Sequence, residues 1–228
     1  MKVILARDLL SANAGLAAEN RRMCDGRRVA VVNLIGSPGA GKTTLLEKTL
    51  SMLKGGLKAG VIEGDVATDR DAERIAALGV PVVQISTGGL CHLDARMVSR
   101  ALAELPLAGL DLLFIENVGN LVCPASFDLG EHRKAVVLSV AEGSDKPAKY
   151  PAVFREAQAV VVSKTDLLPH TDFDLRDCLA GLREAGGEPS FFALSAKTGE
   201  GLAAWVEWLE KLVAEKKGSG AGVPGRTG

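Results

Sequence analysis

The chain has 228 residues, 47% of them hydrophobic and 24% charged, with a formal net charge of −1. The apolar share is ample for the core of one α/β domain, and the near-neutral charge gives no electrostatic case for a nucleic-acid partner or an anionic membrane surface. Met1 to Asn20 lack the charged-then-apolar pattern of a signal peptide, no run approaches a membrane span, and four widely spaced cysteines (Cys24, Cys91, Cys123, Cys178) argue against a disulfide framework, so a cytoplasmic location is expected.

In chain order, Arg7 to Arg22 reads as a helix leaning on the domain, and residues 1–26 as a helical extension. Val29 to Ile35 is an apolar strand, and Thr44-Leu45-Leu46-Glu47-Lys48 opens the helix behind it. Further strands are expected at Leu57–Ile62, Val80–Ile85, Leu110–Ile115, Ala135–Val140, Val160–Val162 and Phe191–Ala193. Helical patterns lie between them at Asp69–Leu78, Asp94–Leu105 and Phe173–Glu184, with Cys178 on a core face. The last helix, Leu202–Glu215, places Trp205 and Trp208 at core spacing, and the Gly-rich residues 217–228 read as a disordered tail. Strands of near-continuous Val, Ile and Leu alternating with helices predict a mostly parallel sheet, covered by helices on both faces, over residues 27–216.

Gly36-Ser37-Pro38-Gly39-Ala40-Gly41-Lys42-Thr43 fits G-x-x-x-x-G-K-[ST] between that first strand and helix. The glycines let backbone N–H groups converge on phosphate oxygens, Lys42 reaches the β- and γ-phosphates, and the Thr43 hydroxyl is a magnesium ligand. Gly36, Ser37, Gly39, Ala40, Gly41, Lys42, Thr43 and Thr44 are therefore nucleotide-binding candidates. Downstream, Ser163-Lys164-Thr165-Asp166 follows a strand where GTPases carry Asn-Lys-x-Asp. The Asp166 carboxylate accepts from guanine N1–H and its exocyclic amine, a pair that adenine cannot offer, and the stem of Lys164 covers the base. Ser195-Ala196-Lys197 matches the last motif of the set. GTP is the expected nucleotide. Ser163, shorter than the usual Asn, is expected to bridge less well to the phosphate loop.

Magnesium wants oxygen ligands; Asp65 and Glu116 stand at strand ends and Asp71 follows on a loop or first helical turn, so each can join Thr43. Asp69 and Asp71 serve equally well as charges at a helix N-terminus. Lys42, Asp65 and Glu116 are the catalytic candidates. No Gln stands near Gly119 to orient water and no arginine finger is assigned, so slow intrinsic hydrolysis is expected. Cys91 and His92 are adjacent in a loop and Cys123 follows the strand that carries Glu116; thiolate and imidazole suit zinc and nickel alike. Spacing alone leaves metal binding open, because free cysteine is as readily a core residue.

Several segments carry a resemblance: Gly36 to Leu46, Glu63-Gly64-Asp65 with Asp71-Ala72-Glu73-Arg74, Thr87-Gly88 with Cys91-His92-Leu93-Asp94, Glu116 to Pro124, and Glu142-Gly143 through Pro151. Together they resemble the hydrogenase nickel-incorporation GTPases (HypB) of the metal-handling branch of P-loop GTPases. The run Glu116-Asn117-Val118-Gly119-Asn120-Leu121-Val122-Cys123-Pro124 is the specific part; urease-type relatives usually show Glu-Ser-Gly-Gly and Cys-Pro-His. The resemblance implies a nickel or zinc ion held by Cys91, His92 and Cys123 at a GTP-promoted homodimer interface. It also implies a small nickel-binding partner of HypA type and a hydrogenase large subunit as client. An N-terminal cysteine motif or histidine-rich stretch, as some members carry for nickel storage, is not found here. A urease-type nickel GTPase and a GTP-dependent switch without metal are the two alternatives.

Overall fold

Strands that are apolar on both sides need cover on both faces, and the chain supplies it with helices. The structure, a computed structural model, describes residues 6–66 and 69–218. In order these form α1 (Ala6–Asp25), β1 (Ala30–Gly36), α2 (Lys42–Leu53), β2 (Ala59–Asp65), α3 (Arg70–Ala76), β3 (Val82–Ser86), α4 (Ala95–Glu104) and β4 (Leu112–Glu116). There follow β5 (Arg133–Ser139), α5 (Lys146–Lys149), α6 (Pro151–Arg155), β6 (Ala159–Ser163), α7 (Leu175–Glu184), β7 (Ser190–Ala193) and α8 (Leu202–Gly218). The strands lie in one sheet of order β3-β2-β4-β1-β5-β6-β7, every pairing parallel. This is the expected α/β architecture. Among the described residues no helix is long and apolar enough to cross a membrane.

Alternation along β1 divides the core. Ala30, Val32 and Leu34 join Leu45, Leu46, Trp205 and Leu209 of α2 and α8 on one face. On the other, Val31 packs with Ile62, Leu113, Val98 and Leu102, while Ile35 packs with Val136, Val160, Phe154 and Cys178. Between these last two clusters the same face of β1 carries Asn33, fully buried, whose amide bonds Glu131 and Asn117. A polar seam thus runs through the apolar layer. Both tryptophans pack as expected: Trp205 is fully buried, donates to Thr49 Oγ1 at 3.0 Å, and stacks on Trp208.

Helix boundaries differ from the sequence reading for local reasons. The α7 helix begins at Leu175, not Phe173, because the Asp174 side chain accepts from the Arg176 and Asp177 amides and caps it there. The α3 helix is shorter than expected, ending at Ala76 ahead of Gly79, whose φ of +77° leaves the helical region. The α8 helix is longer, so Lys217 and Gly218, expected in the tail, are helical; Lys216 pairs with Asp25 and Lys217 with Asp111. Residues 219–228 lie outside the described residues. The short α5 and α6, each with a proline in its first turn, were not anticipated.

α1 is fastened by polar contacts. Asn20 Nδ2 donates to the carbonyls of Ala95 and Leu129, and Asn13 holds the Ala95 amide and the Asp128 carbonyl. His132 adds a latch between β1 and α1: its Nδ1 accepts from Val31 N at 2.9 Å and its Nε2 faces Asp25 Oδ1 at 3.0 Å. That geometry requires the neutral ring with the proton on Nε2, and burial pushes the His132 pKa down, only partly offset by Asp25. The unfolded state therefore takes up the proton first. The stability this site contributes is intact above about pH 6.5 and is lost as pH falls below it, by at most about 1.4 kcal/mol per unit. Denaturant unfolding between pH 7.5 and 5.5 should show a shallower pH slope for His132→Gln than for wild type; equal slopes contradict the assignment.

Candidate functional site

Parallel strands deliver all their C-terminal ends to one edge, and the candidate residues gather there. At the end of β1 the loop from Gly36 turns into α2. Gly39 and Gly41 adopt φ of +75° and +90°, values other residues rarely take, and no side chain caps the helix start. The first-turn N–H groups therefore face the cleft unpaired by side chains, as an anion site requires. Gly36 also has a packing reason: a Cβ there would lie 2.5 Å from the Val137 carbonyl oxygen. Lys42 folds over the loop, its Nζ donating to the Gly36 and Ser37 carbonyls at 3.2 and 3.4 Å.

The cleft, about 560 Å³, is lined by this loop and by Glu63, Asp65, Asp71, Glu116, Asn117 and Lys164. Thr43 Oγ1 donates to Glu116 Oε1 at 2.8 Å. Glu63, Asp71 and Glu116 each bring an oxygen within 4.8 Å of the others. Glu63 and Glu116 are direct partners in the β2–β4 register, and both are buried. Burial and the facing Glu116 and Asp71 push the Glu63 pKa up to about 10; burial likewise raises Glu116, against the pull of Lys42 and Thr43. One oxygen of each, Glu63 Oε2 and Glu116 Oε2, is buried with no hydrogen-bond partner. Facing carboxylates with orphaned oxygens beside a threonine hydroxyl form an all-oxygen donor set that fits Mg2+. Asp65 lines the same cleft, its Oδ1 accepting from the Val66 amide. Asp71 also pairs with Arg74, which in turn grips Glu47.

Glu63 is the acid that sequence reasoning missed as a site residue. Its signal was a carboxylate inside a strand buried on both faces; the expected strand stopped one residue short of it, whereas β2 runs on to Asp65.

A second cavity of about 260 Å³ adjoins the loop, lined by Gly41, Thr44, Ser163, Lys164, Asp166, Ala196 and Lys197, among others. Ser195 Oγ donates to Asp166 Oδ1 at 2.7 Å and accepts from Thr198 N, which fixes the carboxylate's orientation. Lys164, held at φ +60°, reaches the Gly39 carbonyl at 2.7 Å. Ser163 corrects the expectation of a weakened bridge: its Oγ donates to the Ala40 carbonyl at 2.6 Å. The phosphate loop lies close enough to the end of β6 for a serine to span the gap.

The soft donors converge as well. Cys91 Sγ lies 3.0 Å from Cys123 Sγ and 3.7 Å from His92 Nδ1. The His92 ring stacks on Phe127 with centroids 4.0 Å apart, and burial lowers its pKa, so the ring is a neutral donor at pH 7. Contact with Cys91 raises the Cys123 thiol. Leu90 and Val122 beside them are exposed by 48% and 60%. This cluster is joined to the phosphate loop: Asn120 N donates to Gly36 O at 3.0 Å, and its Nδ2 donates to Cys91 O at 3.3 Å. A Cβ on Gly119 would meet Pro38 at 2.9 Å. Cys24 and Cys178, by contrast, are buried, and burial raises both to about 11.

The profile of the family described as CobW/HypB/UreG, nucleotide-binding domain, matches residues 30–192. A hydrogenase maturation factor HypB of Azotobacter chroococcum mcd 1 is 52% identical over 211 residues, covering 92% of this chain and 68% of the relative. Among solved structures, HypB from Helicobacter pylori in complex with nickel superposes with a TM-score of 0.86 at 38% identity, covering 90% of this chain and 96% of the other. The hydrogenase maturation factor HypB of Archaeoglobus fulgidus gives 0.83 at 36%, covering 89% and 99%. With the glycine loop, the cavity beside Asp166 and the soft-donor cluster at one sheet edge, the chain belongs to the CobW/HypB/UreG family, in its HypB branch.

Proposed function

We propose that this chain is a GTP-hydrolysing metallochaperone that helps insert nickel into nickel–iron hydrogenase, with metal binding and dimerisation controlled by GTP. The observation that carries the reading is the adjacency of two chemistries. Cys91, His92 and Cys123 form a soft donor set beside the loop Gly36–Thr43, joined to it through Asn120, which bonds Gly36 O and Cys91 O. Nickel or zinc suits two thiolates and an imidazole. The relatives' name as hydrogenase maturation factors, and the nickel complex of the Helicobacter pylori protein, favour nickel as cargo.

In this reading the triphosphate lies over the first turn of α2, with Lys42 turning from the Gly36 and Ser37 carbonyls to the β- and γ-phosphates. Gly36, Ser37, Gly39, Ala40, Gly41, Thr43 and Thr44 supply the remaining cradle, and Lys164, Asp166, Ser195, Ala196 and Lys197 read the base. Thr43 and Glu116, with Asp65 and Asp71, would hold Mg2+, which supplies charge neutralisation at the phosphate oxygens. Glu63 joins that set because its orphaned oxygen has no other partner. No glutamine stands near Gly119 to orient water, so intrinsic turnover is slow. Three donors from one chain leave the metal unsaturated. The exposed Leu90 and Val122 rim the donors, and a second copy seated there completes the site across a two-fold axis. A HypA-type partner and a hydrogenase large subunit are the further partners, in the cytoplasm.

Base choice is tested at Asp166. With Asn there, the amide donates to the 2-oxo group of xanthine and no longer accepts from the guanine amine. GTP binding should weaken by about 1.5–3 kcal/mol, roughly 10- to 150-fold, and XTP binding should strengthen. Titration with labelled GTP, ATP and XTP reads this; unchanged GTP selectivity sinks the assignment. Metal binding is tested separately: equilibrium dialysis with nickel should show wild type loaded, and the Cys91→Ala/Cys123→Ala protein losing most of its metal while retaining GDP. Full loading of the double variant would leave the cluster without its assigned role.

A further inference from the structure

A nucleotide can control the Cys91–His92 pair only if something grips both the strand ends at the phosphates and the loop bearing the pair. The described residues supply one such grip, centred on Leu93. The Leu93 side chain is fully buried against β2: a Cβ on Gly64, between Glu63 and Asp65, would lie 2.8–3.0 Å from its side-chain carbons. Its backbone amide donates to Asn117 Oδ1 at 3.2 Å, and Asn117 immediately follows Glu116 at the end of β4. His92 and Cys91 therefore hang from a residue packed on one acid-bearing strand end and hydrogen-bonded to the other.

Asn117 is built to transmit position rather than to bind solvent. It is 1% exposed. Its Oδ1 also accepts from Val118 N at 3.0 Å, and its Nδ2 donates to Asn33 Oδ1 at 3.3 Å. Asn33 in turn donates to Glu131 Oε1, and Glu131 Oε2 accepts from Leu129 N. The amide is locked at both ends, so a shift of the Glu116 backbone must move the Leu93 amide or break a buried hydrogen bond. Leaving a buried donor or acceptor unpaired is costly, and that cost makes the connection stiff.

We propose that Asn117 is the positioning residue that couples nucleotide state to metal affinity, by tying the Leu93 amide, and through it Cys91 and His92, to the strand end that carries Glu116. The proposal rests on the reading of the chain as a nucleotide-controlled metal carrier and says which side chain carries the control. Asn120, half-buried and 3.3 Å from the Cys91 carbonyl, is a second contact between the same two loops.

The test compares nickel dissociation constants with GDP and with a non-hydrolysable GTP analogue, in wild type and in Asn117→Ala. Wild type should differ between the two states by at least about fivefold, the lower end of ordinary site-to-site coupling, and Asn117→Ala should bring the ratio to within about twofold of one. A purely structural role would weaken nickel binding equally in both states and leave the ratio intact; that result overturns the proposal while sparing the metal-carrier reading. Equal affinities in wild type would overturn the coupled-switch reading itself. Should the alanine variant fail to fold by circular dichroism, Asn117→Ser keeps the site polar but is too short to reach Leu93, and the same ratio decides.

Discussion

The acid cluster beside the glycine loop depends on the register between β1 and β4, in which Leu34 stands level with Glu116. Side chains alternate faces along a strand, so a one-residue slip would bury Glu116 on the wrong side and point Leu34 at the polar seam. The pairing of β2 with β4 sets Glu63 level with Glu116 in the same way. Strands β1, β4 and β2 are adjacent and parallel, so their ends reach one edge together. The phosphate loop, the acids and the segment leading to Cys123 meet there without any long-range loop having to find its place.

That arrangement has a cost. Glu63, Glu116 and Glu131 are all buried, and two of them face one another; like charges directly opposite on a sheet destabilise it. The raised Glu63 pKa is the physical response: burial and the facing Glu116 and Asp71 outweigh the pull of Lys42 and keep the carboxyl neutral. Asn33, Asn117 and Asn20 lie along the same seam and satisfy groups that an apolar core would orphan. Apart from Asn33 at the middle of β1, the buried polar side chains of the strands gather toward the C-terminal strand ends, Glu63 in β2 and Glu116 in β4 among them.

The sequence made the strands, the glycine loop before α2 and the grouping of Lys164, Asp166 and Ser195 legible, because each rests on local chemistry: continuous Val, Ile and Leu, fixed glycines, an Asp after a strand. The Cys91–His92 and Cys123 cluster was legible only with the resemblance, since 31 intervening residues hide a separation of 3.0 Å between the sulfurs. Glu63 and Asn117 were not legible as site residues. One is the continuation of a strand and the other a neutral amide, and their roles appear only once β2, β4 and the Leu93 loop are side by side. Ser163 was misjudged for the same reason: side-chain length was known, but the distance to be spanned was not.

In the proposed reading, the three soft donors Cys91, His92 and Cys123 of one chain leave a metal unsaturated, and a second chain finishes the coordination. Sedimentation velocity of the protein with nickel, in GDP and in a non-hydrolysable GTP analogue, measures this most directly. The account predicts a single-chain species with GDP and a two-chain species with the analogue, the latter strengthened by nickel and weakened when Cys91 and Cys123 are both alanine. The same sedimentation coefficient in both nucleotide states, with nickel present, would contradict it.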